Sequence, residues 1–176
     1  MEPAKFHSQL DLPYQETNHL LLRNIFITLE REFDLKKNSK QVFIDLGSGN
    51  GQVITYCAVN YGIKSIGIEI DPVLIEEAKM AIRSLKLDKG FKKSQIEFIT
   101  GDFYYHNLKT YDYIYIYSLP TMHKYLSHVF QTAKRNATII SHRYPLQSLI
   151  QLIEFKFKLD QNLYNQKIST FFYRRI

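Results

Sequence analysis

Apolar residues recur along the chain with two periods, and the alternation between them predicts its architecture. From Glu16 to Phe33, Leu20, Leu21, Ile25 and Leu29 return at helical spacing, with Asn24, Arg31 and Glu32 left for water. The short run QVFID then reads as a buried strand, and Gln52 to Asn60 as a helix. KSIGIE is a second strand. Asp71-Pro72 follows it, an aspartate cap ahead of a proline suited to the first helical turn, so a helix runs from Pro72 to about Leu87. QIEFIT and YDYIYIY are a third and fourth strand, Thr121 to Lys134 a helix, and ATIIS a fifth strand. LIQLIEFKFKL and KISTFFYRR close the chain. In the first of these, Phe155, Phe157 and Leu159 alternate with Lys156 and Lys158.

Strand and helix in alternation imply a parallel sheet covered on both faces. Two final strands with no long helix between them imply an antiparallel hairpin at its end. The expected organisation is one α/β domain over 1–176. It comprises an N-terminal segment and helix (1–38), a core (39–146) and a closing hairpin (147–176). Ligands of such sheets bind beyond the carboxyl ends of the strands, where strand order reverses.

At that end of the first strand stands DLGSGNGQ, Asp45 to Gln52. A triphosphate loop needs a Lys-Ser or Lys-Thr after its glycines, and none follows here. The dinucleotide pattern G-x-G-x-x-G fits Gly47 and Gly49, but the third glycine falls one place early, at Gly51. Alone, the loop could be a tight strand-to-helix turn. Two acids give it a partner chemistry. Glu69 ends the second strand, where a carboxylate can accept both hydroxyls of a ribose. Asp102 follows the third strand, where a carboxylate can accept from an exocyclic amine beside Phe103, or close an Asx turn after Gly101.

Together DLGSGNG, GIEID and GDF resemble, in this order, the motifs of class I (seven-β-strand) methyltransferases that use S-adenosylmethionine. The resemblance covers Phe43 to the C-terminus. It implies a Rossmann-like, mostly parallel seven-stranded sheet and S-adenosylmethionine as cofactor. It places Asp45, Gly47, Ser48, Gly49, Asn50, Gly51 and Gln52 at the methionine end, Glu69 at the ribose, and Asp102 with Phe103 at the adenine.

The fourth strand ends in YIYSLP. Many enzymes that methylate amide or nucleobase nitrogens have Asn/Asp-Pro-Pro-Tyr/Phe there. LPYQET, Leu12 to Thr17, and IISHRYPL, after the fifth strand, are similar to segments of another group. It holds archaeal broad-specificity protein lysine methyltransferases and the lysine methyltransferases of the adenine nucleotide translocase and the ATP synthase c-subunit. In LPYQET, Glu16 stands where that group has proline. That resemblance implies a lysine acceptor in a channel walled by Tyr14, Tyr117, Ser118 and Tyr144. Tyr111, Tyr113 and Tyr115 are spaced by two and are expected in the core, on one face of a strand; His142 could be structural or a substrate contact; His123 and His128 are expected at the surface. No metal is expected, because the His and Cys residues show no ligand spacing.

Charge adds one further expectation. Residues 1–90 hold 11 Lys+Arg and 12 Asp+Glu, and residues 91–176 hold 12 and 5, so the net +6 resides in the second half. That half suits an acidic protein surface or nucleic acid. The expected main partner is the protein substrate that the resemblance implies, with nucleic acid as a second class through this basic half. One cysteine, no long apolar run and no signal-like or anchoring N-terminus lead to the expectation of a soluble cytoplasmic protein without membrane attachment. Two other functions remain open in the sequence: an RNA or small-molecule methyltransferase on this fold, and a cofactor-binding partner protein without activity.

Overall fold

The computed structural model describes residues 18–84 and 95–176. Its elements in chain order are α1 (His19–Glu32), β1 (Val42–Leu46), α2 (Gln52–Tyr61), β2 (Lys64–Glu69), α3 (Pro72–Ser84), β3 (Ile96–Thr100), β4 (Tyr113–Ile116), α4 (Pro120–His123), α5 (Ser127–Gln131), β5 (Thr138–His142), β6 (Ile153–Leu163) and β7 (Gln166–Arg175). Single 3₁₀ turns cover Phe103–Tyr105 and Gln147–Leu149. The predicted N-terminal segment with Tyr14, and the end of the predicted helix beyond Ser84, lie outside the described residues.

The seven strands form one sheet in the order β3-β2-β1-β4-β5-β7-β6. Pairings among β1 to β5 are parallel, and β7 enters antiparallel between β5 and β6. Strand order reverses between β1 and β4, so the switch point opens beside the glycine loop. β1 is buried on both faces. Phe43 packs with Leu22, Ile25 and Phe26 of α1 and with Val53, Ile54 and Cys57 of α2. Ile44 and Leu46 pack with Leu126, Val129 and Phe130. This two-sided burial is why the parallel strands read as continuous apolar runs.

Four expectations are corrected. The helix expected from Thr121 to Lys134 is two short pieces, α4 and α5, separated by a turn at Lys124–Leu126. Leu20, assigned to the apolar stripe of α1, is exposed. Asn18 caps the helix there by accepting from the Leu20 N–H, so the buried stripe begins at Leu21. Tyr111, Tyr113 and Tyr115 are all core residues as expected, but they do not share one face: Tyr111, just before β4, packs on the opposite side of the sheet. The alternation of β6 does not produce a buried face. As the outermost strand it carries a register shift between Phe155 and Phe157, and both rings stay exposed. A bulge slips the two-residue period, and an edge strand has a neighbour on one side only.

Candidate functional site

The glycine loop is bound to the end of β2 before any ligand is considered. The Gly47 and Ser48 N–H groups both donate to the Ile68 carbonyl, and the Gly49 N–H donates to Glu69 Oε2 at 2.8 Å. Glu69 Oε1 accepts from the Ile70 and Asp71 N–H groups. Asp71 in turn caps α3 by accepting from the Val73 N–H, as the Asp-Pro pair predicts. Glu69 is therefore an organiser of two loops, a role its place at a strand end did not announce.

Close approach explains two of the glycines. At Gly67 in β2, a Cβ would stand 2.4 Å from Ser48 Oγ and 2.7 Å from Ser48 Cβ, so the loop lies directly on the strand. Gly51 adopts φ +74°, and a Cβ there would meet the Phe98 ring at 2.6 Å. Both the left-handed turn into α2 and the contact with β3 demand a bare Cα.

Asp45, at the end of β1, is 3 % exposed. Burial first, and the nearby Glu69 carboxylate second, push its pKa well above the usual carboxylate range. A buried acid held this way is matched to a cationic ligand group, which would favour its charged form. On the other side of the loop Phe103 lies 3.8 Å from where a Gly47 Cβ would be. Asp102 Oδ1 accepts from the Tyr104 N–H at 2.9 Å, so the Asx-type turn read from the sequence is present. The turn uses only one carboxylate oxygen. It fixes the orientation of the other, so turn and ligand roles are compatible.

The second half of the site lies at the ends of β4 and β5. The rings of Tyr117 and Tyr144 are parallel within 9°, with centroids 6.3 Å apart. Tyr144 reaches this position because Arg143 turns the chain in the left-handed region, φ +69°, and because Ser141 Oγ donates to the Tyr144 carbonyl. The Arg143 guanidinium stands 5.8 Å from the Tyr117 ring. Ser118 is fully buried, and its carbonyl is 3.2 Å from His123 Nε2. His123 is accordingly a buried residue, against the surface position expected from the sequence, whereas His128 is exposed. The break between α4 and α5 lets His123 fold back under the β4 loop. His142 is also buried, with Nδ1 3.0 Å from Thr170 Oγ1 of β7. Burial and the neighbouring Arg143 lower its pKa to about 4.

Buried polar atoms without a hydrogen-bond partner among the described residues concentrate here. They include Ser48 Oγ and Gln52 Oε1 at the glycine loop, Tyr104 OH after Asp102, and Ser118 Oγ after β4. Such atoms are costly unless a ligand or water completes them. Their grouping at successive strand ends fits a large polar ligand. Asp45, Ser48, Gly49, Gly51, Glu69, Asp102, Phe103, Tyr117, Ser118 and Tyr144 all stand at the carboxyl edge, as do Gly47, Asn50 and Gln52. Arg143, His142 with Thr170, and the fold-back of His123 were not legible as parts of one arrangement. Thr170 in particular carries no local signal. It is identified by the β5–β7 register alone, which sets it opposite His142.

The profile of a family described as the ANTKMT methyltransferase domain matches residues 45–152. The chain belongs to that family. It is a methyltransferase dependent on S-adenosylmethionine, and the orphaned polar atoms fit that cofactor. Over 135 residues, 77 % of this chain and 68 % of the relative, it is 26 % identical to the lysine N-methyltransferase of the ATP synthase c-subunit from Caenorhabditis elegans. Two solved structures share its fold. One is an RNA methyltransferase from Salinibacter ruber in complex with S-adenosyl-L-homocysteine, with TM-score 0.72 and 20 % identity, covering 92 % of this chain and 94 % of that one. The other is the magnesium protoporphyrin IX methyltransferase of Synechocystis with bound S-adenosylmethionine, with TM-score 0.68 and 16 % identity, covering 93 % and 87 %. At these identities they speak for the fold alone. Among the described residues no helix is long and apolar enough to cross a membrane, and no group of three or more His, Cys, Asp or Glu side chains is placed to hold a metal.

Proposed function

We propose that this methyltransferase acts on lysine side chains of proteins. The observation that carries the reading is the parallel Tyr117–Tyr144 pair beside the buried Ser118. Tyr117 and Ser118 occupy the place where enzymes acting on amide or nucleobase nitrogens have their Asn/Asp-Pro-Pro-Tyr/Phe residues, and Tyr144 joins them from beyond β5. The Caenorhabditis relative, named for a lysine acceptor, supports the same class.

When bound, S-adenosylmethionine supplies an electrophilic methyl on a positively charged sulfur. The residues of the chain then have separate tasks. Asp45 and the Gly47–Gln52 loop would receive the amino-acid end, Asp45 on the side of the ammonium and the start of α2 on the side of the carboxylate. Glu69 Oε1 and Oε2 already accept backbone N–H groups. Their remaining lone pairs would accept from the ribose hydroxyls. Asp102 would accept from the adenine amine, with Phe103 beside the ring. Tyr117 and Tyr144 enclose the acceptor chain in aromatic surface, where loss of water favours the neutral amine. Ser118 Oγ offers that amine a hydrogen-bond partner. With the cofactor held by these residues, the acceptor nitrogen would gain the methyl as the sulfonium C–S bond is given up, and the amine proton would pass to solvent. Positioning supplies much of the rate. Tyr14, which lies outside the described residues, is proposed as a further wall.

The nucleic-acid reading is weaker than the net charge suggests. Several C-terminal bases are already engaged: Lys134 with Asp112, Lys158 and Lys167 with Asp160, Lys156 with Glu154, and Arg174 near Asp34.

The test is transfer of labelled methyl groups into a lysate of the source cell, divided between protease and nuclease. Label released by protease and recovered as methyl-lysine is the expected result. Label released by nuclease would replace the lysine acceptor with RNA and retire the aromatic channel.

A further inference from the structure

We propose that Thr170, on the closing hairpin, is a positioning residue for the methyl acceptor and acts through His142 on Tyr117. The inference rests on the acceptor site described above and adds to it a strand that the cofactor motifs do not reach.

The chain of contact is continuous. Thr170 and His142 are directly opposed in the antiparallel β5–β7 ladder, and their side chains share a 3.0 Å hydrogen bond. Both are buried, Thr170 completely. The His142 ring lies against Tyr115 with centroids 6.1 Å apart and planes within 27°. It meets Tyr117 edge-on, at 5.9 Å and 71°. Tyr117 then stacks on Tyr144. One imidazole thus touches a core tyrosine on one side and a site tyrosine on the other.

An imidazole between two aromatic rings has a free torsion about its last bond, and packing alone specifies it poorly. A single hydrogen bond to Nδ1 removes that freedom and selects the ring orientation. The hydroxyl doing so stands on β7, whose backbone is held between two neighbours. His142 also precedes Arg143, the residue in the left-handed turn that delivers Tyr144. Thr170 therefore anchors the approach to both walls of the aromatic pair. A residue that only filled space here would not need a hydroxyl, and valine would serve.

The experiment compares Thr170→Val and Thr170→Ser in the full chain bound to S-adenosylhomocysteine and in turnover. Nitrogen NMR of the His142 ring needs no acceptor. A single fixed tautomer is expected in the wild type and in Thr170→Ser, and mixed tautomers with broadened Tyr117 ring signals in Thr170→Val. In turnover Thr170→Val should lower kcat about tenfold, with cofactor Kd within about twofold, while Thr170→Ser stays within about threefold of the wild type. Should Thr170→Val not fold, Thr170→Ala takes its place. Wild-type kcat in the hydroxyl-free variant, or equal loss in the serine variant, would overturn the proposal. Turnover is measured on whichever acceptor the wild type methylates. A nucleic-acid product would therefore end the lysine reading while the tautomer and the kcat split still judge Thr170.

Discussion

At the level of single residues, several side chains carry two tasks, and substitutions should separate them. Asp102→Ala removes a proposed adenine contact together with the acceptor for the Tyr104 N–H. It should weaken cofactor binding by about 1–3 kcal/mol by calorimetry. Glu69→Ala should do the same and also lower the melting temperature without ligand, because the Gly49, Ile70 and Asp71 N–H groups lose their acceptor. Unchanged affinity with lower stability would reduce either acid to a loop brace. Asp45→Asn should behave in the opposite sense. The folded state holds Asp45 with a raised pKa, so its favourable contribution belongs to low pH and is lost as pH rises past the ordinary carboxylate value. The amide should therefore stabilise the free protein at neutral pH while weakening the cofactor complex. A free protein destabilised at pH 7 would show that the carboxylate is compensated by contacts of its own.

At the level of elements, the two closing strands do different work. β7 is inserted between β5 and β6, and Thr170 and Phe172 are fully buried. β6 is an edge with Phe155 and Phe157 exposed. Beyond its ladder with β7 and the buried Ile153, it is tied to α1 by Gln161, which accepts from Asn24 Nδ2 at 2.8 Å and donates to the Leu21 carbonyl. Gln161→Ala should cost about 1–2 kcal/mol and lower hydrogen-exchange protection first in α1 and β6. Uniform loss of protection across the sheet would contradict a local tie. The break between α4 and α5 was hidden because Thr121 to Lys134 contains no glycine or proline to announce it. The fold-back contact between His123 and the Ser118 carbonyl, which comes with that break, is visible only in three dimensions.

For the molecule as a whole, His142 links fold stability to pH. Its pKa is lowered to about 4 by burial first and Arg143 second. The facing groups are Thr170 on β7, Tyr115 and Tyr117 at β4, and Arg143 beside it in the chain. A lowered histidine pKa gives stability that is fully present above the unfolded value near 6.5 and lost as pH falls toward 4. The loss should approach about 3 kcal/mol, read from denaturant midpoints at pH 7 and pH 4. His142→Phe should flatten that part of the profile. An identical slope in the variant would assign the acid sensitivity to other groups.

The sequence alone determined the alternation of elements, the seven strands and the cofactor edge. These are local matters: a two-sided buried strand must be apolar throughout, an Asp-Pro pair must start a helix, and a chain passing flat against a neighbour must carry glycine, as at Gly51 and Gly67. Hence Asp45, Glu69 and Asp102 could be placed at successive strand ends by counting. Tertiary structure decided what depends on register and on side chains from distant segments. Thr170 meets His142 because β7 runs antiparallel beside β5. Tyr144 meets Tyr117 because Arg143 adopts a backbone conformation that arginine rarely takes. Phe155 and Phe157 stay in water because a bulge falls on an edge strand. No periodicity in the chain encodes these meetings, since each is fixed by the packing of parts that are far apart in sequence.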